Sequence, residues 1–376
     1  METKLLGDIC DVLDSKRKPI TKCDRVPGAY PYYGATGIVD YVSSYIFDEK
    51  LVLVGEDGAK WAAGENTAFL VSGKTWVNNH AHVIRPHRDI VCDEWIVYYL
   101  TGNDLSEYVT GLTVPKLNQA QLRSIPIPLP PLPVQKAIVA KLDAAFASIE
   151  QAIAAAEKNA ENAKRLFQIY LSDVFERGGE GWEEKHLKDI AEYFNGLTYS
   201  PKSVSENGTV VLRSSNIQND EIDLSDIVRV DAKIKDKIYV RDGDILMCSR
   251  NGSRRLVGKT ADIQSLPEAM TFGTFMMIVR SEHNSYLSWF FKSTSFREQI
   301  TSGENTMINQ ITRYMLDEIK VWMPPVKERA VLVGKFNAIS RSVKELDGIY
   351  VEKILQLSKL KQSLLQQAFN GQLVDA

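Results

Sequence analysis

The stretch Ile125-Pro126-Ile127-Pro128-Leu129-Pro130-Pro131 has a counterpart in Ile319-Lys320-Val321-Trp322-Met323-Pro324-Pro325, and the long apolar-periodic segment after each copy decides the fold. Thr113 to Phe175 align without a gap on Met307 to Phe369. Proline at alternate positions forbids a helix or a central strand over 126–133, so this segment reads as an extended connector. Beyond it, Val134 to Phe175 carries apolar residues at Ile138, Leu142, Ala145, Ile149, Ala152, Ala156, Ala163, Leu166 and Tyr170. Steps of four and three mark the seam of a coiled coil. About 42 residues at 1.5 Å rise make roughly 60 Å of helix, and Gly178-Gly179 ends it. The second copy, Val326 to Phe369, keeps the phase with Leu332, Phe336, Ile339, Val343, Leu346, Tyr350, Leu357, Leu360 and Leu364.

The segments before the helices share landmarks and little else. Leu6-Gly7-Asp8-Ile9 is echoed by Leu187-Lys188-Asp189-Ile190, the strand Leu51 to Val54 by Asp244 to Cys248, and His82 to Arg85 by Met276 to Arg280. Both read as mixed α/β. A lone heptad helix would suggest dimerisation, but the repeat places both partners on one chain. The volumes suggest a pairing. Small seam residues of the first helix match large ones of the second if the two run antiparallel. Ala145 then faces Leu357, Ala152 Tyr350, Ala156 Leu346 and Ala163 Ile339, with Ile138 opposite Leu364 and Tyr170 opposite Leu332. The polar residues Asn159 and Lys353 interrupt the seam at one phase, where they can fix register.

The chain has 376 residues, too many for one ordinary core. No run of apolar residues is long enough for a membrane span, and Met1 to Asp8 lacks an apolar signal core, so a cytoplasmic protein is expected. Cys10, Cys23, Cys92 and Cys248 are widely spaced and fit free thiols in a reducing compartment. A net charge of −3 argues against a stand-alone nucleic-acid binder. Any grip on DNA therefore requires local patterning of charge, or phosphate contacts from partner subunits.

With these boxes in place, the sequence resembles the specificity subunits of type I restriction-modification systems. The resemblance rests on the run Ile125 to Asp143, on Leu364-Leu-Gln-Gln-Ala-Phe-Asn-Gly-Gln-Leu-Val374, and on the two openings at Leu6 and Leu187. It covers essentially the whole chain. It implies an α+β protein with two mixed α/β target-recognition domains, 1–125 and 180–320. Connectors with long helices at 126–179 and 321–376 would form an antiparallel coiled-coil spacer between them. It also implies a non-catalytic subunit without cofactor. The expected partners are double-stranded DNA with a bipartite target, two methyltransferase subunits, and restriction subunits as a further component. The internal repeat supports two similar partners on equivalent surfaces, and half-sites one DNA turn apart would lie on one side of the duplex.

Candidate DNA contacts follow from residue type. Arg250-Asn251-Gly252-Ser253-Arg254-Arg255-Leu256-Val257-Gly258-Lys259 is basic, without an acid, directly after a strand. Such a loop can place arginine on guanine edges or phosphates. Gly55-Glu56-Asp57-Gly58-Ala59-Lys60-Trp61 occupies the equivalent place in the first half, with Lys60 able to meet phosphate. Trp61 either lies beside DNA or supports a turn. Asn78, His80 and His82 would share one strand face, and asparagine can read adenine. Thr36 in Tyr33-Gly34-Ala35-Thr36-Gly37, and Arg213 and Asn216 in Arg213-Ser214-Ser215-Asn216, occupy similar places in the two halves. Lys116 and Asn309 precede the connectors.

Each candidate has a plainer reading as a solvated loop, a turn or a satisfied core residue. His80, His82 and His87 show no fourth ligand, so no metal is expected. Glu56, Asp57 and Lys60 faintly suggest a nuclease cluster. The chain shows no phosphate loop of the G-x-x-x-x-G-K-[ST] kind, no adenine-methyltransferase signature and no Ser-His-Asp arrangement. Two rival readings stand beside the DNA-specificity subunit. One is a nuclease built on Glu56, Asp57 and Lys60. The other is a scaffold for protein partners only, which leaves the basic loop unexplained.

Overall fold

The computed structural model describes residues 2–111, 113–301 and 309–373. Residues 305–308 of the stretch before the second connector, Met307 among them, and Val374 lie outside the described residues. The chain forms two compact units, residues 1–157 with 350–376, and residues 158–349. Each unit thus takes half of each long helix. The reason is packing: the apolar faces of the helices are buried in the cores of the globular parts.

In unit 1, Cys10–Val12, Ala81–Pro86, Leu51–Gly55 and Ala68–Val71 form an antiparallel four-stranded sheet in that order. Leu51 to Val54 are wholly buried, as expected for a run that is apolar at every position. A second sheet orders Gly37–Val42, Pro27–Gly34, Lys74–Val77 and Phe47–Asp48. Part of the expected connector is itself a strand. Pro126–Pro128 pairs antiparallel with Thr3–Leu5 in a two-stranded ladder, where proline's missing N–H is tolerated at an edge. The long helix begins earlier than the proline pattern suggests, at Leu132, because Pro133 falls in its first turn, where no intrahelical donor is needed.

Unit 2 repeats this plan. Glu192–Asn195, Met276–Arg280, Ile245–Cys248 and Thr260–Asp262 form its four-stranded sheet. Val228–Val230, Val204–Leu212 and Met270–Phe272 form a second sheet, and Lys320–Met323 pairs with Glu183–His186. Equivalent backbone bonds close the two units. Leu6 N–H donates to Ile125 O at 2.9 Å, and Leu187 N–H donates to Ile319 O at 2.9 Å.

The long helices span Leu132–Arg177 and Val326–Phe369. In unit 1, Ile138, Leu142, Phe146 and Ile149 of the first share a core with Leu365 and Ala368 of the second and with Trp95 and Ile96. In unit 2, Phe167, Leu171 and Phe175 share a core with Leu332, Phe336, Tyr286 and Phe290. The leading half of each helix therefore meets the trailing half of the other, and the two run antiparallel. Burying each such side chain is worth about 1.5–3 kcal/mol.

The observed pairs lie further along the second helix than the expected register, by about one to two and a half turns. Tyr170 packs against Phe336, one turn beyond the expected Leu332, with ring centroids 5.8 Å apart. Glu150 pairs with Lys361 at 3.0 Å, and Lys164 with Asp347 at 2.7 Å. Leu166, Leu346 and Leu360 are 66, 40 and 46% exposed and lie off the buried face. Ala145, Ala152, Ile339, Val343, Tyr350, Leu357 and Leu364 are half-buried, whereas Ala156 is buried. Aromatic residues of the globular cores set this register. Phe336 is held against Phe175 and Trp289, a constraint that volume matching between two isolated helices leaves out.

Candidate nucleic-acid interface

The same crossing of three segments occurs once in each unit. In unit 1, Glu56 at the end of Leu51–Gly55 donates its N–H to His80 O at 2.9 Å, and its carbonyl accepts Leu117 N–H at 2.8 Å. In unit 2, Ser249 N–H bonds Phe275 O at 2.9 Å, and Ser249 O accepts Ile311 N–H at 2.7 Å. Asp57 bridges Lys116, and Arg250 bridges Gln310. A short helix then starts in each, capped by Asn118 (from Gln121 N–H, 3.0 Å) or Thr312 (from Met315 N–H, 3.3 Å). The scaffold thus presents Asp57, His80 and Lys116 in unit 1 where it presents Arg250, Phe275 and Gln310 in unit 2.

Unit 1 fills this place with paired charge. The buried Glu56 carboxylate lies between Arg17 and Lys116, the latter at 2.8 Å. Burial pushes its pKa up, but the bonds from Lys116 and Arg17 outweigh this and hold it below the ordinary carboxylate range. Asp14 behaves alike. Its burial is overcome by His82, by the Val83 N–H at 2.9 Å and by Arg17. His82 is fully buried, with Nδ1 2.6 Å from Asp14 Oδ2 and Nε2 2.6 Å from Leu117 O. Both of its nitrogens are thus occupied inside the unit. Lys116 Nζ bridges Glu56 and sits 4.0 Å from Asp57, which pairs with His80.

Several expected contacts therefore change role. Asn78, His80 and His82 do not share a strand face, because residues 78–80 turn between Lys74–Val77 and Ala81–Pro86. His82 has no surface to offer DNA. Asn78 is buried and its Oδ1 accepts the His80 N–H at 2.8 Å, bracing the turn. Trp61 is buried too and donates to Gly55 O at 3.1 Å, which assigns it to support. His80 stays exposed, as does Thr36 at the tip between two strands.

The nuclease cluster does not form, since Lys60 points to Glu65 at 3.7 Å and Lys116 takes its place beside Glu56. Asp14, Glu56 and His82 bring ligand-type atoms within 4.8 Å of one another. Those atoms are already bound to Arg17, Lys116, Val83 N–H and Leu117 O, a donor set suited to an ion-pair network. His87 instead meets Asp11 at 3.1 Å.

In unit 2 the basic loop is brought beside other candidates. Asn251 Nδ2 donates to Ser214 Oγ at 3.2 Å, and Asn251 N–H to Asn309 O at 3.3 Å. Arg254 and Arg255 are exposed on a single 3-10 turn. Arg250 lies over the Phe275 ring at 5.4 Å. Three candidates serve the structure. Asn216 is buried and closes its loop through Arg213 N–H, Asp223 O and Asp226 O. Arg213 pairs with Asp226 at 2.8 Å. Lys259 is drawn in to Ile217 O, because its stem is half-buried. The sequence reading misses Arg17, Phe275, Arg313 and Tyr314. The repeat holds the signal for Phe275, which occupies the place of His80.

The sequence matches the family described as type I restriction modification DNA specificity domain over residues 1–158 and 179–348. The chain belongs to that family. A putative type I restriction enzyme specificity subunit of Haemophilus influenzae strain Rd is 28% identical over 92% of this chain and 90% of its own length. A chain from a structure of type I restriction-modification complex assembly superposes with a TM-score of 0.77 at 19% identity, over 99% of this chain and 98% of its own. The HsdS subunit of Thermoanaerobacter tengcongensis does so with a TM-score of 0.58 at 18% identity, over 99% and 97%. These likenesses extend the family's fold over both units, so each of the two crossings lies in a matched DNA specificity domain.

Proposed function

We propose that this chain is the specificity subunit of a type I restriction-modification complex, acting in the cytoplasm. It reads a bipartite DNA target, one half with each unit, and leaves methylation and cleavage to its partners. The observation that carries this reading is the shared crossing with unlike side chains. One backbone plan presents Asp57, His80 and Lys116 in unit 1, and Arg250, Phe275 and Gln310 in unit 2. A duplicated scaffold with diverged side chains suits the reading of two different short sequences. On this reading Lys60, Thr36, His80 and Lys116 face DNA in unit 1, and Arg250, Asn251, Arg254, Arg255 and Asn309 do so in unit 2.

Partner docking falls to the long helices. Leu166, Ile169, Leu346 and Ile349 on the unit 2 part of the helices, and Leu355 and Leu360 on the unit 1 part, are apolar and exposed, which supports docking there. Two copies of the plan fit two methyltransferase subunits. Methylome sequencing of cells with and without the gene tests the proposal, with a split methylated motif that depends on the gene as the expected result. Replacing residues 182–320 by those of a relative should alter one half of the motif. Loss of neither half, or of both, would overturn the assignment of one half to each unit.

A further inference from the structure

Unit 2 contains a cleft of about 370 Å³ at the crossing, lined by Arg250, Phe275, Arg313 and Tyr314 with the amides of Asn195 and Gln310. Its frame is fixed. Ser249 and Arg250 both donate their N–H groups to Phe275 O, at 2.9 and 3.0 Å, and Ile311 is tied to Ser249. Arg250 lies over one face of Phe275, and the rest of the lining is open. Phe275 is 54% exposed and Tyr314 83% exposed. Among the described residues, neither Arg250 nor Arg313 forms a salt bridge. At the same crossing in unit 1 the corresponding groups are partnered: Arg17 and Lys116 with Glu56, and the His80 ring with Asp57.

Two exposed aromatic faces, two unpaired guanidinium groups and two amides around one concavity suit a particular kind of ligand. A simple anion has no use for the rings, and an apolar peptide has none for the uncompensated charge. A planar ring with hydrogen-bonding edges and a phosphate beside it uses all six groups: faces for stacking, forks and amides for edges, and positive charge for the backbone. That ligand is a nucleotide base.

We propose that this cleft is the base-reading subsite of unit 2. In it Tyr314 and Phe275 stack on a base displaced from the duplex, and Arg250 and Arg313 meet its edge and the adjoining phosphates. The inference rests on the DNA-specificity reading and locates one half of it. A displaced base is most easily taken when it is already unpaired, because the duplex then gives up less.

The test uses the full chain assembled with its methyltransferase partners. Methylome sequencing first defines the motif. Binding is then measured to the target duplex, and to duplexes with a single mismatch moved along the half-site that unit 2 reads. For the double variant Phe275→Leu with Tyr314→Leu, affinity should fall about tenfold or more, the scale of a lost base-stacking contact. Base identity should relax at one position of that half-site while the other half is kept. In the wild type, a mismatch at that position should strengthen binding several-fold, and the double variant should lose this gain. Tyr314→Phe keeps a stacking face and should bind within about twofold of wild type. Unchanged affinity and motif in the double variant would overturn the proposal while leaving the specificity reading intact. Absence of any gene-dependent motif in the wild type would overturn both.

Discussion

Arg250 lies over the ring of Phe275, its guanidinium carbon 5.4 Å from the centroid, where unit 1 instead pairs Asp57 with His80. One backbone crossing has thus been fitted with a cation–aromatic pair in one unit and an acid–imidazole pair in the other. The two surfaces differ in sign and in shape, and substitutions in each unit should therefore have separable effects.

Glu56→Ala should destabilise unit 1 by about 3 kcal/mol, because Arg17 would lose the buried carboxylate that compensates its charge. Thermal melts of the variant check this. A melting curve like that of wild type would show that Asp14 alone suffices for Arg17.

Acid should weaken the same unit. Asp14 and Glu56 are held below their ordinary values of 3.8 and 4.5, so both lose protons more readily folded than unfolded. Their contribution is fully present above pH 4.5 and is lost as the pH falls through the lowered folded-state values. Melting temperature followed downward from pH 6 should fall below about pH 4.5, less steeply for Glu56→Gln than for wild type.

Arg254→Ala with Arg255→Ala should leave stability within about 0.5 kcal/mol, since both side chains are exposed. Binding of the assembled complex to DNA should weaken, and the slope of log affinity on log salt should flatten by about 1–2. A salt titration measures both.

Leu346→Glu and Leu360→Glu should melt like wild type yet fail to co-purify with methyltransferase subunits, because both positions are exposed on the long helices. Phe336→Ala should do the reverse at first order, costing about 3–5 kcal/mol through a cavity in the unit 2 core.

Much of this is legible in the sequence. The duplicated run after Ile125 and Ile319 gives the two long helices, their antiparallel pairing and the two mixed halves, because apolar periodicity and proline placement act locally. The register is not legible, since it depends on Phe336 meeting Phe175 and Trp289, contacts made with the second globular core. The site is legible by region more than by residue. The basic loop at Arg250 follows its strand and exposes Arg254 and Arg255, while His82 and Trp61 turn inward. A polar residue on a presumed strand gives no sign of the turn at 78–80 or of the Asp14 carboxylate that takes His82 into the core.

The two-stranded ladders that pair Thr3–Leu5 with Pro126–Pro128 and Glu183–His186 with Lys320–Met323 have an evolutionary consequence. Each fastens the first residues of a globular part to its last ones, so both splice points of that part are hydrogen-bonded neighbours. A gene exchange cut at those seams would import a foreign insert of any internal length without altering the gap its ends must bridge. New specificities can then arise by transplantation, provided the insert keeps the apolar residues that pack against the long helices.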